Sequence, residues 1–273
     1  MSRYAGMTVP QILSKMVMEG QPFDTHEQMN DALRLLGKWR STLLANTYIQ
    51  HNGPVVFQGP FAGMTYVKQS SEGALIARLL GTYESELHPY LKHFFEGQGV
   101  DCVIDVGCAE GYYAVGLARM HPTLTVYAYD IDAYARGACK ELAEKNGVSD
   151  RVIIGERFSP ADFQGFEGRK CLVMVDTEGA ELEILDPAQG PALAGMNIIV
   201  ETHDIFTKGA LATLMERFKD THDIDRVEAK LKSIELPGWF KPLAPMDHLL
   251  ATWEWRMSPT PWLVMRPKKL GQS

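Results

Sequence analysis

Val103-Ile104-Asp105-Val106-Gly107-Cys108-Ala109-Glu110-Gly111-Tyr112-Tyr113 is the stretch that decides the fold of this chain. A short apolar run reads as a buried strand running into an acid, and two glycines four residues apart then open a helix. Downstream, Thr125-Val126-Tyr127-Ala128-Tyr129-Asp130 is a second apolar run closed by an acid. Strand, glycine loop, helix, strand and acid make the layout of a nucleotide-binding βαβ unit.

The loop itself selects among nucleotides. Gly107 and Gly111 can take backbone angles closed to other residues and let a ligand lie on the main chain. A helix starting near Gly111 points free N–H groups and its positive end at that ligand. An NAD fingerprint needs glycines at 107, 109 and 112, but Ala109 and Tyr112 stand at the second and third positions. No Gly-Lys-Ser/Thr follows, so a phosphate-caging P-loop is absent as well.

Asp105-Val106-Gly107-Cys108-Ala109-Glu110-Gly111 resembles the Asp-x-Gly-x-Gly-x-Gly loop of class I S-adenosylmethionine-dependent methyltransferases, with Ala109 replacing the middle glycine. Such a replacement suits a residue with negative φ. The resemblance implies S-adenosyl-L-methionine as cofactor, with Asp105, Gly107, Cys108, Ala109, Glu110 and Gly111 around it. It also implies that Asp130 accepts hydrogen bonds from the ribose hydroxyls, with Ile131 beside it. A competing reading makes Asp130 a helix cap, although Asp132 is better placed for that.

Val175-Asp176-Thr177-Glu178-Gly179-Ala180-Glu181 and Ile198-Ile199-Val200-Glu201-Thr202-His203 are similar to segments of the FkbM-like branch of those enzymes. The likeness runs over about residues 80 to 205. It implies methyl transfer, commonly to oxygen of sugars or secondary metabolites, and leaves the substrate open.

Composition sets further bounds. The chain has 273 residues, 45% hydrophobic and 22% charged, as expected of an ordinary globular core. We expect a helical N-terminal extension or cap over 1–80 and a catalytic domain over 81–273. A formal net charge of −7 argues against nucleic acid as a partner. No apolar run is long enough to cross a membrane and no secretory leader is apparent, so a cytoplasmic location is expected. Cys102 and Cys171 fall in apolar strand patterns and read as small buried hydrophobes, and Cys108 reads as a loop-lining residue.

Residues before about 50 read as two amphipathic helices, which leave room for a homodimer. Ser70 or Ser71 is expected to cap a helix carrying Leu75 to Leu80, and Tyr83 and Glu84 read either as lid residues or as surface. Strands are expected near 101–106, 124–130, 151–156, 171–176, 197–202 and 224–230, with helices near 111–120, 132–146, 179–185 and 208–219. Trp262-Leu263-Val264-Met265 reads as an antiparallel last strand. The fold class is therefore α/β: a Rossmann-like, mostly parallel seven-stranded sheet plus an N-terminal helical extension.

The strands ending at Asp105, Asp176 and Glu201 should bring these acids to one crevice. Asp176, Glu201 and His203 are the expected catalytic residues. His203 is suited to take a hydroxyl proton, because an imidazole titrates close to working pH. We rank metal-free general-base assistance first, proximity alone second, and a divalent cation on these three side chains third. His203 and Asp204 could instead cap the next helix. His222 is expected to end a helix. His248 could line an acceptor pocket with Trp239, Trp253 and Trp255 as its aromatic walls, although core packing is the commoner fate of such residues. The reading is a methyltransferase acting on a small-molecule acceptor, most naturally at oxygen. Its rivals are methylation of an amine and a non-catalytic cofactor-binding partner subunit.

Overall fold

The computed structural model of the protein describes residues 7–18, 25–67, 74–97, 99–230 and 235–268. One seven-stranded sheet organises it. The strands are β1 (Cys102–Val106), β2 (Thr125–Tyr129), β3 (Val152–Gly155), β4 (Cys171–Val175), β5 (Asn197–Glu201), β6 (His222–Val227) and β7 (Trp262–Pro267). They lie in the order β3-β2-β1-β4-β5-β7-β6. Pairings among β1 to β5 are parallel, and β7 runs antiparallel to both β5 and β6. The chain winds from β1 out to β3, then crosses back to β4. The switch in direction falls between β1 and β4, and there the carboxyl ends of the strands open a crevice.

Burial explains why these segments are strands. Every residue of β1, β4 and β5 is buried, as expected of central parallel strands with helices on both faces. Each fully buried Val, Leu or Ile contributes roughly 1.5–3 kcal/mol. The helices flanking the sheet include α5 (Tyr112–Met120), α6 (Ala133–Lys145), α7 (Glu181–Ile184) and α8 (Ala210–Phe218). Asp132 caps α6 through Tyr134 N–H, as expected for it rather than for Asp130.

Before the sheet come α1 (Val9–Met18), α2 (His26–Asn52), α3 (Leu75–Leu80) and α4 (His88–Gly97). Thr25 and Gln28 form a capping box at the start of α2, and Gly53 follows its end. Leu44, Ala45 and Tyr48 of α2 belong to the same apolar cluster as Val103, Val126 and Leu172 of the sheet. The expected cap at Ser70 or Ser71 lies outside the described residues. A helix absent from the sequence reading, α9 (Pro245–Thr252), packs against α2, and Asp247 takes two hydrogen bonds from Arg40 at 2.6 and 2.8 Å.

Three expectations need correction. His222 does not end a helix: α8 stops at Phe218, and His222 opens β6, buried, with Nε2 3.0 Å from the Met196 carbonyl. Burial lowers its pKa, which favours the neutral ring. Cys102 and Cys171 are buried as expected, but they face each other across the β1–β4 register and are joined as a disulfide. Ala109 has φ +47°, not a negative value. A left-handed alanine costs about 1–2 kcal/mol, so the loop is held against a local strain.

Candidate active site

The glycine loop turns between β1 and α5. Gly107 and Cys108 donate their N–H groups to the Tyr129 carbonyl at 2.8 and 3.0 Å, tying the loop to the tip of β2. Asp130 secures it further: its Oδ2 accepts from Ala109 N–H at 2.9 Å and its Oδ1 from Asp132 N–H at 2.8 Å. One acid thus fixes both the strained Ala109 and the start of α6. Each oxygen keeps a second acceptor direction. Gly111, at φ +93°, is the N-cap of α5 and packs on Cys139.

Behind the loop lies a small cavity lined by Asp105, Gly107, Cys108, Ala109, Glu110, Asp176 and Trp262, with Arg78, Tyr83, Tyr112 and Tyr113. It meets a wide cleft of about 1380 Å³ that shares Arg78, Tyr83, Gly107, Ala109 and Asp176 and continues past Glu201 and His203. Among the described residues, Asp105 Oδ2 and Trp262 Nε1 are buried with no hydrogen-bond partner. Desolvation, then the fields of Asp176 and Asp130, push the Asp105 pKa up to about 7. A buried acid with a free oxygen is a receptor for a cationic group, and a free indole N–H is a receptor for an acceptor.

Glu110 is 1% exposed and is engaged from within. Tyr66 OH donates to its Oε1 at 2.6 Å, and the Arg78 guanidinium lies 3.5 Å from the same oxygen while stacking over Tyr83. Cys108 shares a hydrogen bond with Cys139, which together with burial raises its pKa, so this thiol stays neutral. Ile131, next to Asp130 at the tip of β2, is 81% exposed.

Asp176, Glu201 and His203 come together as expected, each offering a ligand-type atom within 4.8 Å of the others. His203 Nε2 lies 3.7 Å from Asp176 Oδ1 and 3.5 Å from Glu201 Oε2. Two further groups were missed by sequence reasoning. His203 Nδ1–H donates to Glu181 Oε1 at 2.8 Å, and Glu181 is fully buried at the start of α7. Burial works against charging His203, but the Glu181 hydrogen bond and the fields of Asp176, Glu181 and Glu178 outweigh it and raise the pKa. Burial likewise works against charging Glu181, and the hydrogen bonds from His203 and Gly179 N–H more than compensate, lowering its pKa. Glu181 is in the segment that carried the family resemblance, which was its only signal.

The second missed group is Arg256. Its guanidinium bonds Glu84 at 2.8 Å, Glu254 at 3.0 Å and, more closely, Glu201 and Thr260. Thr260 also donates to Glu201 Oε1 at 2.5 Å, and Tyr113 OH to Glu84 Oε2 at 2.6 Å. Glu84 is therefore a buried member of this network rather than a surface residue, and Tyr83 beside it lines the cavity. No periodicity marks Arg256, which lies in an irregular segment between α9 and β7.

The aromatic candidates divide between the cleft and packing against the protein. Of the three tryptophans only Trp255 lines the cleft. Trp239 stacks on His51 and donates to Asn52, Trp253 packs on Gly37, and His248 lies against Phe240. Asp204, not His203, caps the following turn by accepting from Gly209 and Leu211 N–H at 3.0 and 3.1 Å.

Residues 90–167 match the methyltransferase small domain. The matched segment holds β1, the glycine loop, α5, β2, Asp130, α6 and β3. A ribosomal protein L11 methyltransferase of Acinetobacter baumannii is 42% identical over 74 residues, which are 27% of this chain and 23% of that protein. The chain thus matches under a quarter of the length of that curated relative. Among solved structures, human methyltransferase 10 domain containing protein is 12% identical, with 84% of this chain and 97% of that one covered and a TM-score of 0.48. An O-methyltransferase from Bacillus cereus in complex with SAH is 13% identical, covering 66% of this chain and 79% of that one, with a TM-score of 0.44.

Proposed function

We propose that this protein is an S-adenosylmethionine-dependent methyltransferase, with a hydroxyl oxygen of a small molecule, such as a sugar or secondary metabolite, as acceptor. The observation that carries the reading is Asp105. It presents a buried, unshared carboxylate oxygen to a cavity walled by the glycine loop, where a cofactor's ammonium group would satisfy it. The match over residues 90–167 supports the same reading. Trp262 Nε1–H offers a donor to the carboxylate end of the same ligand, and Asp130 keeps acceptor directions for ribose hydroxyls. The bound cofactor supplies an electrophilic methyl group on a sulfonium sulfur.

The chain's own part is alignment and proton handling. Asp176 sits at the mouth between cavity and cleft, where it can orient a hydroxyl. His203, held at Nδ1 by Glu181, takes the hydroxyl proton at Nε2, and its raised pKa makes it most available as a base above the usual imidazole range. Arg256 neutralises Glu201 from within the protein, which favours catalysis without a metal on Asp176, Glu201 and His203. The pairing of the Asp176–Glu181 segment with His203 is the feature we take as support for an FkbM-like site.

Calorimetric titration with S-adenosylhomocysteine and with NADH, on the protein and on Asp130→Ala, tests the cofactor. Micromolar binding of S-adenosylhomocysteine alone, weakened in the variant, is expected. Binding of NADH, or of neither ligand, overturns the reading. For the acceptor, a rate that climbs with pH through the His203 titration supports oxygen. A flat profile above an amine's own pKa points to nitrogen instead.

A further inference from the structure

Helix α2 carries a row of large apolar side chains on its outer face. Met29, Leu33, Leu36, Trp39 and Leu43 are 52%, 68%, 41%, 42% and 37% exposed. On a helix of 3.6 residues per turn they fall within about 60° either side of the Leu36 direction. The far side of the helix is already engaged. Gly37, Ser41, Leu44 and Tyr48 are buried, and Lys38, Thr42 and Asn46 line the cleft. Monomeric proteins seldom expose a contiguous apolar strip of this kind.

The spacing of the row names its occupant. Met29 and Leu33 stand seven and three residues before Leu36, and Trp39 and Leu43 stand three and seven after it. The row is a palindrome. A second α2 laid antiparallel across it, with the two-fold axis at Leu36, sets Leu36 on the partner's Leu36, Leu33 on the partner's Trp39, and Met29 on the partner's Leu43. Every apolar residue meets an apolar residue, the self-complementarity a two-fold interface requires. At the one polar break within the row, Arg40 is held back by its paired bonds to Asp247 and comes level with the partner's Ala32. A membrane surface would call for a basic polar face on this helix, but the opposite side of α2 is buried and the chain carries a net charge of −7.

We infer that the protein forms a homodimer through antiparallel pairing of α2 about Leu36. The same helix walls the cleft through Lys38, Thr42 and Asn46, so the dimer seam braces the cleft wall from behind.

The two-fold makes a sharp test, because residue 36 meets only its own copy. Light scattering on the full chain should report a dimer at micromolar concentration. Leu36→Glu and Leu36→Lys should each raise the dimer dissociation constant at least about tenfold through facing like charges. Mixed together, the two variants should recover a heterodimer. Position 36 is exposed, and unchanged circular dichroism and melting establish that each variant folds. Leu36→Cys should cross-link to its own copy under mild oxidation. A monomeric wild type overturns the inference, as does a dimer that survives Leu36→Glu or fails to cross-link through Leu36→Cys. Binding of wild type, but not Leu36→Glu, to anionic vesicles without dimerisation would overturn it in favour of a membrane surface.

Discussion

A Cβ atom on Gly107 would lie 1.7 Å from the carbonyl oxygen of Asp176. The tips of β1 and β4 therefore touch backbone to backbone, and the loop proposed to hold the cofactor is in contact with the acid at the mouth of the cleft. Gly107 also has φ +87°, a region that side chains rarely enter.

Gly107→Ala should consequently cost at least about 2 kcal/mol, the left-handed penalty plus a displaced strand tip. Denaturant unfolding measures the loss, and S-adenosylhomocysteine affinity should fall with it. A variant as stable as wild type would show that β1 and β4 can part without consequence.

Asp105 gives the proposed cofactor site a proton to release. Its pKa near 7 means the carboxyl is largely protonated at pH 6 in the free protein. A cationic ammonium beside it favours the charged form, so binding should expel up to one proton below pH 7 and almost none at pH 8. Titrations at each pH in two buffers of different ionisation enthalpy read the proton count. Asp105→Asn should abolish the difference.

For the Glu181–His203 pair the direction of both shifts matters. Glu181 holds His203 protonated to higher pH, so the acid limb of the pH–rate profile should lie above the free imidazole value of about 6.5. Glu181→Gln should move that limb to lower pH, which a merely structural partner would not do. The pair also links stability to pH. The raised His203 value stabilises the fold fully below the unfolded histidine pKa, and this contribution is lost as pH rises through the folded one. The lowered Glu181 value stabilises above its unfolded pKa and is lost as pH falls through the folded one. Both operate together between about pH 4.5 and 6.5, and the stability difference between wild type and His203→Ala should peak in that window.

Arg256 holds three carboxylates that are 0%, 4% and 8% exposed at Glu84, Glu201 and Glu254. Arg256→Ala leaves them buried without their counter-ion and should cost about 3–5 kcal/mol. Arg256→Lys, which keeps the charge without the fork, should recover only part of that. Thermal or denaturant unfolding of the two variants is the measurement, and a cost within error of zero for Arg256→Ala would mean that the acids find other partners.

How much of this was legible depends on distance along the chain. β1, the glycine loop, β2 and the capping Asp132 all lie within about thirty residues, and each strand or cap leaves its mark in neighbouring residue types. The strands predicted around them formed within a residue or two, β6 excepted, because short, mostly apolar runs rich in β-branched residues bury well as the central strands of a parallel sheet. α9 was missed, since Pro245-Met246-Asp247-His248-Leu249-Leu250 offers a single helical turn of apolar spacing. His222 was misread because a polar strand start and a helix end look alike in sequence.

The sequence by itself determined the α/β sheet, the place of the glycine loop and the meeting of Asp176, Glu201 and His203. Alternation and strand-terminal acids are local signals, and strands laid parallel bring their carboxyl ends to one side of the sheet. Tertiary structure alone decided that Asp130 clamps the strained Ala109, that Glu181 governs His203, and that Arg256 ties Glu84, Glu201 and Glu254 together. Arg256 and Glu84 are 172 positions apart, and only the burial of both against one cleft makes a single guanidinium the shared partner of three acids.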